Sequence, residues 1–277
     1  MASYLDARAH AGRWLLRIED LDPPREVAGS AAGILHTLEA FGFEWDGAVM
    51  HQKDRTAHYA AALEDLRDRG LTFECSCSRL HLGDEDRYPG SCRERPLSAG
   101  VATATRMRVD PGFVQFADRI QGIFRQDVAA AVGDVILKRR DGLHAYLLAV
   151  VVDDAAQQVS HVVRGADLLD NTPRQIYLQR LLGLPTPVYA HVPVLVEVGG
   201  AKLAKSARSV RLEAHQAATQ LRRVFELLGL EPGADLADAG LRGSWAWAID
   251  RWKTMTVPKG LTLAVEDSAP AQGPTGR

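Results

Sequence analysis

Apolar residues recur along this chain at two periods, which divide it into alternating helices and short strands. Ile34, Leu35, Leu38 and Phe41 stand at helical spacing and stop at Gly42, and a second helix is expected from Thr56 to Arg69, closed by Gly70. A third runs from Thr172-Pro173, with Asn171 or Thr172 as cap and proline in the first turn, to Leu182-Gly183. Leu212, Leu221, Val224, Phe225 and Leu228 describe an amphipathic helix over 211–228, and Trp245 to Trp252 reads as another. Residues 2–11, rich in alanine around Tyr4 and Leu5, read as the later part of a helix.

Strand runs are shorter. Arg13 to Ile18 is halted by Pro23-Pro24 after the acidic Glu19-Asp20-Leu21-Asp22. Arg106–Val109 and Phe113–Phe116 read as a hairpin, Asp134–Lys138 leads into an Arg139-Arg140-Asp141-Gly142 turn, and Val159–Val163 and His191–Val198 are further strands. Ala145–Val152 is apolar without alternation and fits a buried helix or a buried strand equally. Strands alternating with helices predict an α/β fold, in which ligands gather beyond the carboxyl ends of the strands.

Three of those strand ends carry polar chemistry. Glu19 and Asp20 follow the first, although an acidic cap for the next helix explains Asp20 and Asp22 equally well. Arg164-Gly165-Ala166-Asp167 follows a middle strand, where Arg164 either clamps an anion or pairs with Asp167. The late strand leads into Gly199-Gly200-Ala201-Lys202-Leu203-Ala204-Lys205-Ser206. Glycines let such a loop change shape, and its ammonium groups can neutralise phosphate charge; alone, the same pattern fits a solvated turn.

Composition narrows the field. With 277 residues, 46% of them hydrophobic, the chain can bury a sizeable core. Its formal charge of -2 provides no global basic field for nucleic acid, so RNA contact needs a local patch. Lys138-Arg139-Arg140, Arg222-Arg223 and Trp252 between Arg251 and Lys253 could touch phosphate or stack a base, but each reads first as a solvated face or a packing tryptophan, and none is named as a site. No apolar run reaches the roughly 20 residues that span a bilayer, and Met1–Asp6 lacks signal-peptide character, so a cytoplasmic location without membrane contact is expected. All three cysteines fall between Cys75 and Cys92, within a stretch from Leu71 to Pro96 of little periodicity, which points to metal binding or reduced thiols before disulfides. The stretch from Ser268 to Arg277 has no periodicity and reads as disordered.

Arg17-Ile18-Glu19-Asp20-Leu21-Asp22-Pro23, Val163-Arg164-Gly165-Ala166-Asp167-Leu168 and Lys202-Leu203-Ala204-Lys205-Ser206, in that order, resemble the catalytic core of class I glutamyl-tRNA synthetases. The third matches the family's Lys-Met-Ser-Lys-Ser loop, with Ala204 in place of its usual serine. The resemblance implies a Rossmann-like class I aminoacyl-tRNA synthetase core with a small zinc-binding insertion and a short helical C-terminal region. It divides the chain into 1–70 and 97–206 for the core, 71–96 for the insertion, 207–265 for the helical region and 266–277 for the tail. Only about 70 residues follow Ser206, with no long anticodon-binding region. The resemblance is therefore closest to the short paralogues of the family, ligases that activate glutamate with ATP and attach it to queuosine in the tRNA(Asp) anticodon.

By that resemblance Glu19 holds the substrate ammonium, Arg164 a substrate carboxylate, and Tyr146 adds a hydroxyl. Lys205, assisted by Lys202, steadies the ATP phosphates, with magnesium accompanying ATP. Cys75, Cys77, Cys92 and Tyr88 match the zinc site of this subgroup; spacing alone leaves the fourth ligand open among Tyr88, His81, Asp84, Glu85 and Asp86. The family's Ala-Pro-Ser-Pro-Ser-Gly motif, with its strand, loop and helix start, has no counterpart in this sequence. The expectation is a late-called start or a degenerate copy lacking roughly 25 to 30 residues, a monomer impaired in ATP-dependent activation. A truncated glutamyl-tRNA synthetase charging tRNA(Glu) and a non-catalytic RNA-binding remnant are the competing readings.

Overall fold

The computed structural model describes residues 1–78, 87–98, 100–197, 199 and 212–265. Lys202, Lys205, the alternative ligands His81, Asp84, Glu85 and Asp86, and the tail expected to be disordered lie outside these residues.

Helix α1 (Ala2–Ala9) leads into strand β1 (Arg17–Ile18), and the intervening turn is fixed from outside. Asp46 accepts both the Trp14 backbone N–H at 2.8 Å and Arg8 Nη1 at 2.7 Å. Strand β1 is shorter than its apolar run, since residues 13–16 fall outside the strand although the Leu16 carbonyl already accepts the Met50 N–H; it pairs in parallel with β2 (Met50–His51), Arg17 opposite Met50. Between them lies α2 (Ser30–Ala40), which forms where the periodicity predicts but lies near the surface: Leu38 packs against the core beside the buried Phe41, while Ile34 is half exposed. Helix α3 (Thr56–Asp68) forms where the sequence predicts it and buries Tyr59, Leu63 and Leu66.

The stretch expected to lack regular structure contains β3 (Thr72–Cys75), which pairs antiparallel with β4 (Ala104–Met107); β4 in turn pairs with β7 (Val135–Lys138). The expected hairpin is corrected accordingly. Residues of the 106–109 run belong to this sheet, whereas β5 (Phe113–Asp118) folds onto β6 (Gly122–Asp127), pairing from Phe113 opposite Asp127 to Asp118 opposite Gly122. A short helix α4 (Val128–Ala131), capped by the Asp127 carboxylate, joins β6 to β7.

The ambiguous run forms helix α5 (Tyr146–Ala156), apolar on nearly every side because it is buried on nearly every side. Its Asp153, fully buried, accepts hydrogen bonds from Gln52, Arg55 and Tyr59, which ties α3 to α5. Strand β8 (His161–Gly165) then runs parallel to β9 (Val188–Val192), His161 opposite Val188 through Gly165 opposite Val192, with α6 (Thr172–Leu182) as the crossover. Helix α6 ends at Gly183, whose φ of 66° is the left-handed cap that Gly supplies cheaply. The order β6-β5-β9-β8 makes a four-stranded sheet. Pro193 cannot donate to a ladder, so the single late strand predicted from His191 is split into β9 and β10 (Val194–Glu197). Strand β10 pairs in parallel with β11 (Thr262–Val265), so the short helical region expected over 207–265 also contributes a strand.

Two cores result. One packs Tyr59, Leu66, Met107, Leu137, Leu148 and Tyr189 between sheet and helices. The other joins α1 to α7 (Ala217–Leu227) and α8 (Gly240–Arg251) through Tyr4, Phe43, Phe225 and Trp245, with Tyr4 and Trp245 edge to face at 4.7 Å. Trp252 is buried with its indole N–H on Asp6, which makes it a packing residue.

Candidate active site

Strands β1 and β8 each have a ladder partner on one side only among the described residues, and their open edges both line a cleft of about 570 Å³. Arg13, Trp14, Arg17, Glu19, Asp154 and His161 are among its walls. Arg17, from β1, donates to Asp154 and to Gln157 on the far side, both at 2.9 Å, while its other terminal nitrogen lies 3.7 Å from Glu19. Glu19 follows β1 directly and keeps 43% of its side chain exposed.

Charge ties this group together. Burial raises the Glu19 carboxyl above the usual carboxylate range and the neighbouring Asp154 adds to it, while Arg17 and Arg164 pull the other way. Asp154 is raised chiefly by its own burial, against the same two arginines. The Tyr146 phenol, at the start of α5, is raised by burial and by Glu19. Glu19, Tyr146 and Arg164, predicted from sequence to act together, therefore sit within one electrostatic neighbourhood. The sequence alone does not single out Arg17 and Asp154. Asp154 had a signal, a second carboxylate closing an otherwise apolar helical run, but Arg17 offers none that separates it from any strand arginine.

Arg164 is held along one edge. Its Nε donates to His191 Nε2 at 3.1 Å, and Nη2 donates to Thr172 Oγ1 at 2.9 Å, Gln175 Oε1 at 2.7 Å and the Leu168 carbonyl at 3.4 Å. Nη1 has no hydrogen bond among the described residues. Gly165 next to it has a local reason: a Cβ there would lie 2.6 Å from an Asp167 carboxylate oxygen. An arginine whose fork is held on one side and open on the other suits a carboxylate ligand.

The cysteines form a second, separate centre. Cys75, Cys77 and Cys92 place their sulfurs within 4.8 Å of one another, with Tyr88 Oη 3.4 Å from Cys75 Sγ and accepting the Cys92 backbone N–H at 2.9 Å. Phe73 is the one other buried apolar residue of this cluster, too little to hold it by burial alone. Gly133, at φ 76°, permits the approach of Tyr88, since a Cβ would lie 2.1 Å from the Tyr88 carbonyl oxygen. Burial raises the Cys92 thiol, but donors from Tyr88 and the neighbouring cysteines bring it down to about 7. Three sulfurs and a phenol oxygen converging in this way fit a tetrahedral metal site. Protein purified without chelator is expected to carry about one zinc per chain and to melt at lower temperature after chelation. Metal content near zero, measured by atomic emission, would remove the site.

Of the basic candidates, Arg139 pairs with Asp22 and Asp141, and Arg222 and Arg223 pair with Glu226. Those pairs are what a solvated face makes.

The catalytic-domain model described as tRNA synthetases class I (E and Q) matches residues 1–225. The chain is 52% identical over 267 residues to a protein of Pseudomonas aeruginosa named glutamyl-Q tRNA(Asp) synthetase, covering 96% of this chain and 91% of that one. A protein of the same name from Ectopseudomonas mendocina is 51% identical over 265 residues, covering 95% and 90%. Among solved structures, glutamate-tRNA synthetase from Elizabethkingia anophelis superimposes with a TM-score of 0.78 at 21% identity over 97% of this chain, which spans 64% of that structure's length. That likeness is one of fold.

Proposed function

Because this chain belongs to the family of class I tRNA synthetase (E and Q) catalytic domains, we propose that it is a ligase that activates glutamate with ATP and transfers it to queuosine in the anticodon of tRNA(Asp). The observation that carries the reading is the one-sided fork of Arg164 in β8, within electrostatic reach of Glu19 just after β1 and of Tyr146 at the start of α5. Glutamate is a small zwitterion with a second carboxylate, and this pocket has groups of both signs to match it. Burial raises Glu19, and a substrate ammonium beside it would favour its ionised form and oppose that shift. Arg164 offers its open edge to a substrate carboxylate, and Tyr146 directs a hydroxyl to the same region.

In the first step a glutamate carboxylate oxygen attacks the α-phosphorus of ATP, the bond to the bridging oxygen breaks and pyrophosphate leaves. Lys205 stabilises the charge that gathers on the phosphates, and Lys202 assists it. Magnesium accompanies ATP and supplies further charge neutralisation. In the second step a nucleophilic oxygen of the queuosine base takes the acyl group and AMP leaves. No covalent bond to the protein is needed, because orientation and charge neutralisation carry both steps. Cys75, Cys77, Cys92 and Tyr88 would hold a structural zinc.

The choice of tRNA(Asp) rests on the relatives that bear that name at about half identity and nearly full mutual coverage. The test compares transfer of labelled glutamate to tRNA(Asp) bearing queuosine, to the same tRNA with unmodified guanosine, and to tRNA(Glu). Incorporation is expected only into the first. Incorporation into tRNA(Glu) at a similar rate would favour an ordinary charging enzyme instead.

A further inference from the structure

His191 and Asp118 are fully buried and have no place in the chemistry above, yet they end on Arg164. Asp118 Oδ2 lies 2.6 Å from His191 Nδ1, and His191 Nε2 receives the Arg164 Nε–H at 3.1 Å. The strand register aligns the three. Arg164 on β8 stands opposite His191 on β9, and Asp118 ends β5, whose contact with β9 is at Tyr189.

The protonation pattern follows from these partners. Asp118 Oδ1 accepts three backbone N–H groups, from Ile120 at 2.9 Å, Gln121 at 2.8 Å and His191 at 3.2 Å. Burial raises this carboxyl, but those bonds and the imidazole bring it below its ordinary value, so it is an acceptor only. His191 Nδ1 must then carry the hydrogen. A neutral imidazole has one such hydrogen, leaving Nε2 with a lone pair for Arg164. A hydrogen on Nε2 would set donor against donor.

We propose that Asp118 and His191 are positioning residues for the glutamate pocket: Asp118 fixes the tautomer of His191, and His191 fixes the orientation of Arg164 so that its free edge faces the substrate carboxylate. Thr172 completes the arrangement, since its hydroxyl accepts Arg164 Nη2 and lies 3.2 Å from the same imidazole nitrogen. This inference rests on the reading of Arg164 as the carboxylate clamp.

Asp118→Asn tests it with almost no change of shape. The three backbone N–H groups hold the amide oxygen at the Oδ1 position, so the amide NH2 faces Nδ1 and drives the imidazole hydrogen to Nε2, against Arg164. Titration calorimetry of the full chain with glutamate is expected to show a dissociation constant raised about 10- to 100-fold. In an Arg164→Ala background, Asp118→Asn is expected to add nothing further, a non-additivity that a merely structural role would not produce. The imidazole ¹⁵N spectrum should show His191 with hydrogen on Nδ1 in the parent chain and on Nε2 in Asp118→Asn, whether or not glutamate binds.

Unchanged glutamate affinity in Asp118→Asn, multiplicative losses in the double variant, or an Nε2-bound hydrogen in the parent each overturn the proposal. If Asp118→Asn does not fold, Thr172→Val supplies the same affinity and double-variant comparison. If Arg164→Ala itself leaves glutamate affinity unchanged, the clamp reading fails instead, and the ¹⁵N spectrum still decides the tautomer.

Discussion

Replacing Arg164 with alanine should weaken glutamate binding about 100- to 1000-fold, a loss of about 3 to 4 kcal/mol, more than any other single change in the pocket. The side chain supplies Nη1, a guanidinium nitrogen without a hydrogen bond among the described residues. Its other edge is engaged by His191, Thr172, Gln175 and Leu168, so much of the conformational cost of ordering it has been met before ligand arrives. Truncation removes the counter-charge to a carboxylate and also strands the lone pairs of Gln175 and His191 in a buried setting. Arg164→Lys should recover part of the loss, because the charge returns while the planar fork does not. Affinity for ATP should not change in either variant. Calorimetric titration of the parent and both variants measures this, and parent-like affinity in the alanine variant would show that Arg164 does not touch the substrate.

Lys205→Ala should lower glutamate-dependent exchange between ATP and pyrophosphate about 100- to 1000-fold, the scale expected when a donor aimed at transition-state charge is lost. Glutamate affinity should stay at the parent value, since Lys205 acts on the phosphates. That pairing, a rate lost with amino-acid binding kept, separates its role from that of Arg164. Lys202→Ala is expected to have the smaller effect. The reverse order would exchange the two assignments.

Much of the scaffold is legible in the sequence where local chemistry sets the boundary. Thr172-Pro173 and Gly183 delimit α6 because proline suits a first helical turn and glycine a left-handed cap. What escapes is decided by partners far along the chain. Strand β3 is invisible in a Cys-rich stretch because its ladder partner β4 lies about 30 residues away, and β11 is defined by β10, more than 60 residues earlier. Helix α2 shows the converse, a correct helical period that overstates burial: Leu38 packs against the core beside Phe41, while Ile34 stays half exposed.

The site follows the same rule. Glu19 and Arg164 can be read because motifs at strand ends mark them, and Tyr146 through the family resemblance. Asp118 and His191 cannot, because an aspartate closing a hairpin strand and a histidine inside an apolar run each have ordinary explanations. Only the register of β5, β8 and β9 reveals that they form a line to Arg164.

The most direct test of the central claim is to locate the transferred residue. Queuosine-bearing tRNA(Asp), incubated with the chain, ATP and labelled glutamate, is cleaved into an anticodon fragment and a 3′-terminal fragment before counting. The label is expected in the anticodon fragment, and only when queuosine is present. Label on the 3′-terminal fragment, or on tRNA lacking queuosine, would contradict the assignment.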